Sequence, residues 1–136
     1  MSKKFYQILS LIIVILIFTN SLMNAEVSSS QSGFLLNIFQ TVFGWFNIMI
    51  ESDTLSLMIR KLAHFLEFFV LGFTLLKGWG LKVLVNIFII FLVASFDESI
   101  QLFSEGRAFS VIDIGIDMMG GITGILVSKM IINKED

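Results

Sequence analysis

Four long apolar runs constrain how this chain of 136 residues can fold. They cover about residues 5–23, 59–76, 83–103 and 111–132. Because a helix rises 1.5 Å per residue, helices of roughly 18 to 22 residues reach across a bilayer core of about 30 Å. The chain has no proline, which fits uninterrupted helices. These runs predict an all-α membrane protein: a four-span helical bundle that forms one domain over residues 1–136.

Composition supports this class of protein and excludes several others. The chain is 56% hydrophobic and 15% charged, with a mean hydropathy of +0.91. Soluble domains are roughly 45–50% apolar and about 25% charged. The absence of cysteine excludes disulfides, thiolate metal sites and thiol nucleophiles. No phosphate loop, serine nucleophile motif or basic nucleic-acid patch is present, so we expect no cofactor and no nucleic-acid partner.

The first apolar run has a competing interpretation as a cleaved signal peptide. Lys3 and Lys4 precede the run and Ala25 follows it, as in a secretory signal. However, Met23 would stand three residues before a cut after Ala25, where small residues are usual, and the run is long for a signal peptide. We therefore predict that this segment is a retained span, with the signal peptide as the alternative.

A shorter apolar segment over about residues 34–50 follows a polar, turn-rich loop at 24–33. Polar residues recur along it at helical spacing and form one narrow stripe: Asn37, Gln40, Thr41, Gly44 and Asn47. This pattern predicts an additional outer helix that lies at the membrane interface. A simple amphipathic connector is the alternative.

The basic residues predict the orientation in the membrane. With four spans, one side carries six lysines: Lys3, Lys4, Lys77, Lys82, Lys129 and Lys134. The other side has only Arg60, Lys61 and Arg107. Because positive residues concentrate on the cytoplasmic side, we predict a multi-pass protein of the plasma membrane with both termini in the cytoplasm.

Ionisable residues within and between the apolar runs mark the candidate site. Such side chains are costly at membrane depth and are found mainly where they pair or face a polar cavity. They are Lys61, His64 and Glu67 in the second run, Asp97, Glu98 and Gln101 near the end of the third, and Arg107, Asp113 and Asp117 in and after the last loop. The four-span topology brings all of them to the outer side. We expect Asp97 or Glu98 to pair with Lys61, His64 or Arg107, and a purely structural network is the alternative.

Two motifs within these segments resemble those of the VanZ-like family of bacterial membrane proteins. The first is Lys61-Leu-Ala-His64-Phe-Leu-Glu67, followed by Leu71-Gly72. The second is Asp97-Glu98-x-x-Gln101, followed by Gly106-Arg107-x-x-Ser110-x-x-Asp113, and then by Gly120 and Gly124. The resemblance covers nearly the whole chain. It implies that Lys61, His64, Glu67, Asp97, Glu98, Gln101, Arg107 and Asp113 are the characteristic polar positions.

Two residues depart from the family pattern. Phe68 stands where the family has Tyr, which removes a hydroxyl that could donate a proton. Asp117 stands where Asn is common, which adds a carboxylate one helical turn after Asp113. The namesake of the family is associated with low-level resistance to the glycopeptide teicoplanin, so the resemblance implies a cell-envelope role and leaves the chemistry open.

The residues and the resemblance together suggest a binding protein. Its expected partners are membrane lipids and a lipid-linked cell-wall intermediate or the glycopeptide itself, bound by Lys61, His64, Gln101, Arg107 and Asp113. The alternative is a membrane enzyme that modifies an envelope lipid, with His64, Glu67, Asp97 and Glu98 as candidates for acid or base catalysis. One histidine without a recognised ligand spacing predicts no metal site.

Gly120 and Gly124 form a small-residue contact motif in the last run. Such a pattern lets two helices approach closely. Packing within the bundle is the favoured interpretation, and a contact between two copies of the chain is the alternative.

The predicted orientation can be measured by cysteine labelling, because the chain has no native cysteine. We expect Ser30→Cys to react with a membrane-impermeant maleimide added outside intact cells. Labelling at this position only from the cytoplasmic side would overturn the predicted topology.

Overall fold

The computed structural model describes residues 2–23, 33–45, 47, 49–104 and 107–135. Within these residues the chain is helical and has no strand, which confirms the predicted all-α class. Its five helices are α1 (Lys3–Ser21), α2 (Gly33–Trp45), α3 (Ser52–Trp79), α4 (Val83–Gln101) and α5 (Val111–Glu135). Most of the loop predicted at 24–33 lies outside the described residues.

The predicted number of four membrane spans is wrong, because three of the described helices are long and apolar enough to cross a membrane. They are Lys3–Ser21, Val83–Gln101 and Val111–Lys134. The span predicted at 59–76 belongs to α3, which at 28 residues is long enough. Within the predicted span, however, α3 contains four ionisable residues, Arg60, Lys61, His64 and Glu67.

Helix α3 lies between α1 and α5 and has its main contacts with these two helices. It runs antiparallel to α1, because Gln7 Nε2 donates to the carbonyl of Gly78 at 3.1 Å while Asn20 Nδ2 donates to Glu67 Oε1 at 2.6 Å. It runs parallel to α5, because Lys61 contacts Asp113 near the start of α5 while Phe69 lies against Gly124 further along both helices. Both pairings place the amino-terminal half of α3 beside the carboxyl end of α1 and the start of α5.

Helix α4 completes the bundle by packing mainly against α5. Its carboxyl end meets the carboxyl end of α1, where Ser21 Oγ donates to Asp97 Oδ1 at 2.6 Å. The carboxyl ends of α1 and α4 and the amino-terminal halves of α3 and α5 therefore lie together. We call this end of the bundle the polar end.

Apolar and polar side chains are distributed as in a membrane protein. Large apolar side chains face outward, including Leu84 at 79% exposure and Ile15 at 63%. Polar and charged side chains lie inside together with the apolar core: Ser10, Ser21, Asn86, Asp97, Glu98 and Asp117 are buried beside Ile17, Phe68, Leu71, Ile90, Ala94 and Ile125. An apolar exterior of this extent needs a lipid environment or a partner, because soluble monomers rarely expose large apolar patches.

Individual residues define where α3 ends and where α5 begins. Gly80 closes α3 in the left-handed region with φ of 62°, and its N–H donates to the carbonyl of Leu76. Glycine adopts this conformation without a steric penalty. At the start of α5, Ser110 Oγ accepts a hydrogen bond from the N–H of Asp113 at 3.2 Å, as a helix N-cap does.

Glycines bring the backbones of α3 and α5 close together. A Cβ atom at Gly120 would overlap the backbone carbonyl of Phe65, and one at Gly124 would overlap that of Phe69. Gly72 of α3 approaches the backbone carbonyl of Gly121 in the same way. Both glycines of the predicted contact motif are thus buried inside the bundle against α3.

We expect Gly120→Ala to lower the free energy of unfolding in detergent by about 1–3 kcal/mol, because the added methyl group overpacks a contact between two backbones. Gly115→Ala, on the same helix, is the matched control, since a Cβ atom there has no neighbour within 4 Å. The control should be neutral or more stable by up to about 1 kcal/mol. Equal unfolding midpoints for both variants would contradict the proposed role of the contact.

Candidate functional site

A cavity of about 170 Å³ opens at the polar end. It is lined by residues of α3, α4, the loop before α5 and α5 itself: Leu57, Arg60, Lys61, His64, Glu98, Gln101, Arg107, Ala108, Asp113, Ile116 and Asp117. The structure thus brings the five predicted binding residues to one cavity, although they come from separate parts of the chain.

Lys61 and Asp113 form an ion pair at the mouth of the cavity. Their side chains are 42% and 31% exposed. An ion pair with this exposure contributes about 0–1 kcal/mol to stability. The sequence predicted that Asp97 or Glu98 pairs with Lys61, His64 or Arg107. Lys61 pairs with Asp113 instead, and of the predicted partners His64 lies near Asp97.

Asp97 is completely buried behind the cavity. Its Oδ1 accepts a hydrogen bond from Ser21 Oγ at 2.6 Å, and its Oδ2 accepts one from Gln101 Nε2 at 3.1 Å. Ser104 Oγ in turn donates to the carbonyl of Ser21 at 2.7 Å. Neutral donors from α1 and α4 therefore hold this carboxylate, and Ser104, at 5% exposure, is a structural part of the site.

His64 lies between two carboxylates. Its Nδ1 is 3.8 Å from Asp97 Oδ2 and 3.9 Å from Glu67 Oε2, and it has no hydrogen-bond partner. Glu67 is held from the other side by Asn20 Nδ2 at 2.6 Å. The imidazole is therefore close enough to exchange a proton with either carboxylate after a small movement, although it is not hydrogen-bonded to them.

Glu98 is held by the backbone of the loop before α5. Its side chain is 1% exposed, and Oε2 accepts a hydrogen bond from the N–H of Ser110 at 2.8 Å. This bond fixes the loop against the end of α4. It also places the nearby Arg107 over the cavity.

Arg107 offers donors to the cavity that the described residues do not use. Its Nε and Nη1 atoms are buried and have no hydrogen-bond partner. Burial lowers the pKa of the Arg107 guanidinium, and the neighbouring charge of Arg60 lowers it further. Arginine nevertheless stays protonated, so two guanidinium groups face a small space and would be stabilised by an anion.

Sequence reasoning missed two contributors to this site. Asn20 and Ser21 lie at the end of an apolar run that was interpreted only as a span, whereas Asp117 was predicted as part of the polar cluster but not as a binding residue. Asp117 is 1% exposed and lines the cavity. Asn20 and Ser21 could have been recognised as two consecutive polar residues in an apolar run. In the predicted topology they lie at the same membrane level as Asp97.

These features define a helical membrane protein with a charged cavity at one end of its bundle. A profile of the VanZ/LLP1 family matches residues 6–132. The chain therefore belongs to the VanZ/LLP1 family, as the two motifs predicted. Searches of curated proteins and of solved structures found no match.

We expect Ser21→Ala to lower the free energy of unfolding by about 1–3 kcal/mol, because it removes a hydrogen-bond donor from the buried carboxylate of Asp97. Thr19→Ala is the matched control on the same helix. Its hydroxyl is exposed and donates to the carbonyl of Ile15 within the same helix, so the change should be within about 0.5 kcal/mol. Thermal or denaturant unfolding in detergent measures both, and equal stability of the two variants would contradict this role of Ser21.

Proposed function

We propose that this VanZ-like protein binds the anionic head group of a cell-envelope molecule in the cavity at its polar end. The observation that carries the proposal is Arg107, whose two buried nitrogen atoms lack partners in a cavity that Arg60 also lines. A guanidinium group presents donors in a planar fork that suits phosphate and carboxylate groups. Such a ligand would satisfy the unused donors and reduce the repulsion between the two arginines.

The size of the cavity favours one of the two expected ligands. A volume of about 170 Å³ is smaller than the roughly 300–1,000 Å³ of pockets that enclose a drug-sized molecule. A whole glycopeptide is larger still, whereas a phosphate-bearing head group needs little space. We therefore favour a lipid-linked cell-wall intermediate over the drug, with its apolar chain lying along the lipid-facing surface of the bundle.

The lysine distribution supports an outward-facing cavity. The charged residues of the polar end lie at the opposite end of the bundle from the six lysines, so the positive-inside rule directs the cavity away from the cytoplasm. In this orientation the protein meets envelope intermediates after they have crossed the plasma membrane. Sequestering or shielding such an intermediate would lower teicoplanin susceptibility without binding of the drug.

Arg107→Ala is expected to abolish the envelope phenotype while the protein stays folded. Cells with the variant should match a deletion strain in teicoplanin susceptibility and in surface-bound drug. A short-chain polyprenyl diphosphate should raise the unfolding temperature of the purified wild type and have no effect on the variant. Lys129→Ala, which removes an exposed lysine near the other end of α5, is the matched control and should behave as wild type.

Stability measurements separate this proposal from a purely structural network. If Arg107 only balanced the buried carboxylates, Arg107→Ala would cost about 3–5 kcal/mol, and Asp97→Asn in the same chain would recover much of it. For a ligand-binding arginine we expect a loss below about 1 kcal/mol and no rescue. Unchanged drug susceptibility on deletion, with wild-type protein verified in the membrane, would contradict the envelope role.

The position of His64 supports an alternative function, a membrane enzyme that modifies an envelope lipid. An imidazole 3.8 Å from one carboxylate and 3.9 Å from another could act as an acid or base toward a head group held by Arg107 and Lys61. The same strains test it. Lipid and muropeptide profiles that change on deletion and on His64→Ala would favour the enzyme, and identical profiles would favour the binding protein.

A further inference from the structure

We propose that His64, Asp97 and Asp117 form a binding site for one divalent transition metal ion, Zn²⁺ or Mn²⁺. The three side chains come from α3, α4 and α5, and each offers one ligand atom, all within 4.8 Å of one another. The sequence predicted no metal site, because it contains one histidine and no recognised ligand spacing. The packing of α3 against α5 and of α4 against α5 brings them together.

Two of the three ligand residues have a buried polar atom without a hydrogen-bond partner. Asp117 is 1% exposed, and its Oδ2 has no partner among the described residues. Nδ1 of His64 is also buried and unpartnered. A buried polar group that lacks a partner is costly, and both residues line the same cavity. One cation between them would satisfy both atoms.

The charge balance of the polar end also favours a cation. Its described residues include five carboxylates, on Glu67, Asp97, Glu98, Asp113 and Asp117, and three permanent cations, on Arg60, Lys61 and Arg107. With all five carboxylates ionised and His64 neutral, this leaves two negative charges. Lys61 is already paired with Asp113, and the donors to Asp97 are the neutral groups of Ser21 and Gln101. Buried charges in proteins are generally paired or coordinate metals, and one divalent ion would balance this excess.

The donor set selects the class of metal. Imidazole nitrogen suits Zn²⁺ and other first-row transition metals, and carboxylates also suit Mn²⁺, whereas Ca²⁺ takes six to eight oxygen ligands. Bonds of about 2.0–2.2 Å require neighbouring ligand atoms to lie roughly 3–3.5 Å apart. His64 Nδ1 and Asp97 Oδ2 are 3.8 Å apart, so small side-chain rotations would complete the site.

The surroundings of the site match those of a metal centre with an open position. Ser21 and Gln101 hydrogen-bond to Asp97 and would orient it as a ligand. Glu67 Oε2, at 3.9 Å from His64 Nδ1, is placed to become a fourth ligand. The remaining side faces the cavity, where water or an anionic oxygen could bind. The metal site can be tested separately from the proposed head-group function, because metal binding is measured in the absence of any head-group ligand.

The test is metal binding to the full chain purified in detergent through a tag without histidine. After EDTA treatment and removal of the chelator, we expect one equivalent of Zn²⁺ or Mn²⁺ per chain by elemental analysis. His64→Gln and Asp117→Asn should each raise the Kd by more than about 100-fold, beyond the 10- to 100-fold effect of losing an orienting partner. Co²⁺ substitution gives a second readout, since its visible absorption should be lost in His64→Gln.

Glu98→Gln is the matched control for electrostatic attraction alone. It removes one buried negative charge from the same cavity without removing a proposed ligand atom. We expect it to keep one metal per chain and to change the Kd by less than about tenfold. An equal loss of affinity in Glu98→Gln and Asp117→Asn would overturn the proposal, because it would mean diffuse attraction.

Unfolding temperatures distinguish a loss of metal binding from a folding defect in a variant. In EDTA, Asp117→Asn should be at least as stable as wild type, because it removes an uncompensated buried carboxylate. Added Zn²⁺ or Mn²⁺ should raise the unfolding temperature of wild type and leave that of Asp117→Asn unchanged. A folded wild type that binds neither metal, or binding that persists in both ligand variants, would overturn the proposal.

Discussion

The structure depends on the burial of carboxylates inside a bundle whose exterior is apolar. Asp97, Glu98 and Asp117 are each at most 1% exposed. Removing one such charge from water costs several kcal/mol even after local relaxation. The surrounding elements offset this cost: the end of α1 provides Ser21, and the loop before α5 provides the backbone N–H of Ser110. Polar residues in otherwise apolar segments therefore lie where they can donate hydrogen bonds to the buried carboxylates.

The close contact between α3 and α5 sets the geometry of this polar end. Gly120 and Gly124 let the two helix backbones approach without an intervening side chain, and Gly72 does the same from α3. Because interiors are closely packed, even one added methylene is felt. A wider separation of these helices would move Asp117 away from His64 and Asp97. The glycines thus determine the geometry of the site although they lie in the apolar part of the bundle.

The charges at the polar end are arranged in two layers with different roles. Lys61 and Asp113 pair near the surface, where water screens them and the energetic gain is small. The carboxylates of Asp97, Glu98 and Asp117 are buried, and Arg107 has two buried nitrogen atoms without a hydrogen-bond partner. In this less polar environment, charged groups interact strongly with any ion that enters. The cavity therefore combines cationic groups that suit an anionic head group with a cluster of carboxylates and imidazole that suits a metal ion.

The sequence by itself determined the helical membrane class, the family and the residues from which the site is built. Long apolar runs have few solutions other than helices, and ionisable residues within them are rare enough to identify the site, so both followed from local composition. Local composition did not determine the number of membrane spans. Helix α3 is long enough to cross a membrane but is not apolar enough, because it contains Arg60, Lys61, His64 and Glu67.

Only the tertiary structure decided which of these residues are partners. Helical periodicity places a side chain on a face but does not specify which neighbouring helix that face meets. Lys61 therefore pairs with Asp113 rather than with Asp97 or Glu98, and Asp97 is held by Ser21 of α1. The approach of His64, Asp97 and Asp117 likewise depends on how α3, α4 and α5 pack, because each helix contributes one ligand atom and only their mutual distance and rotation bring the three atoms together.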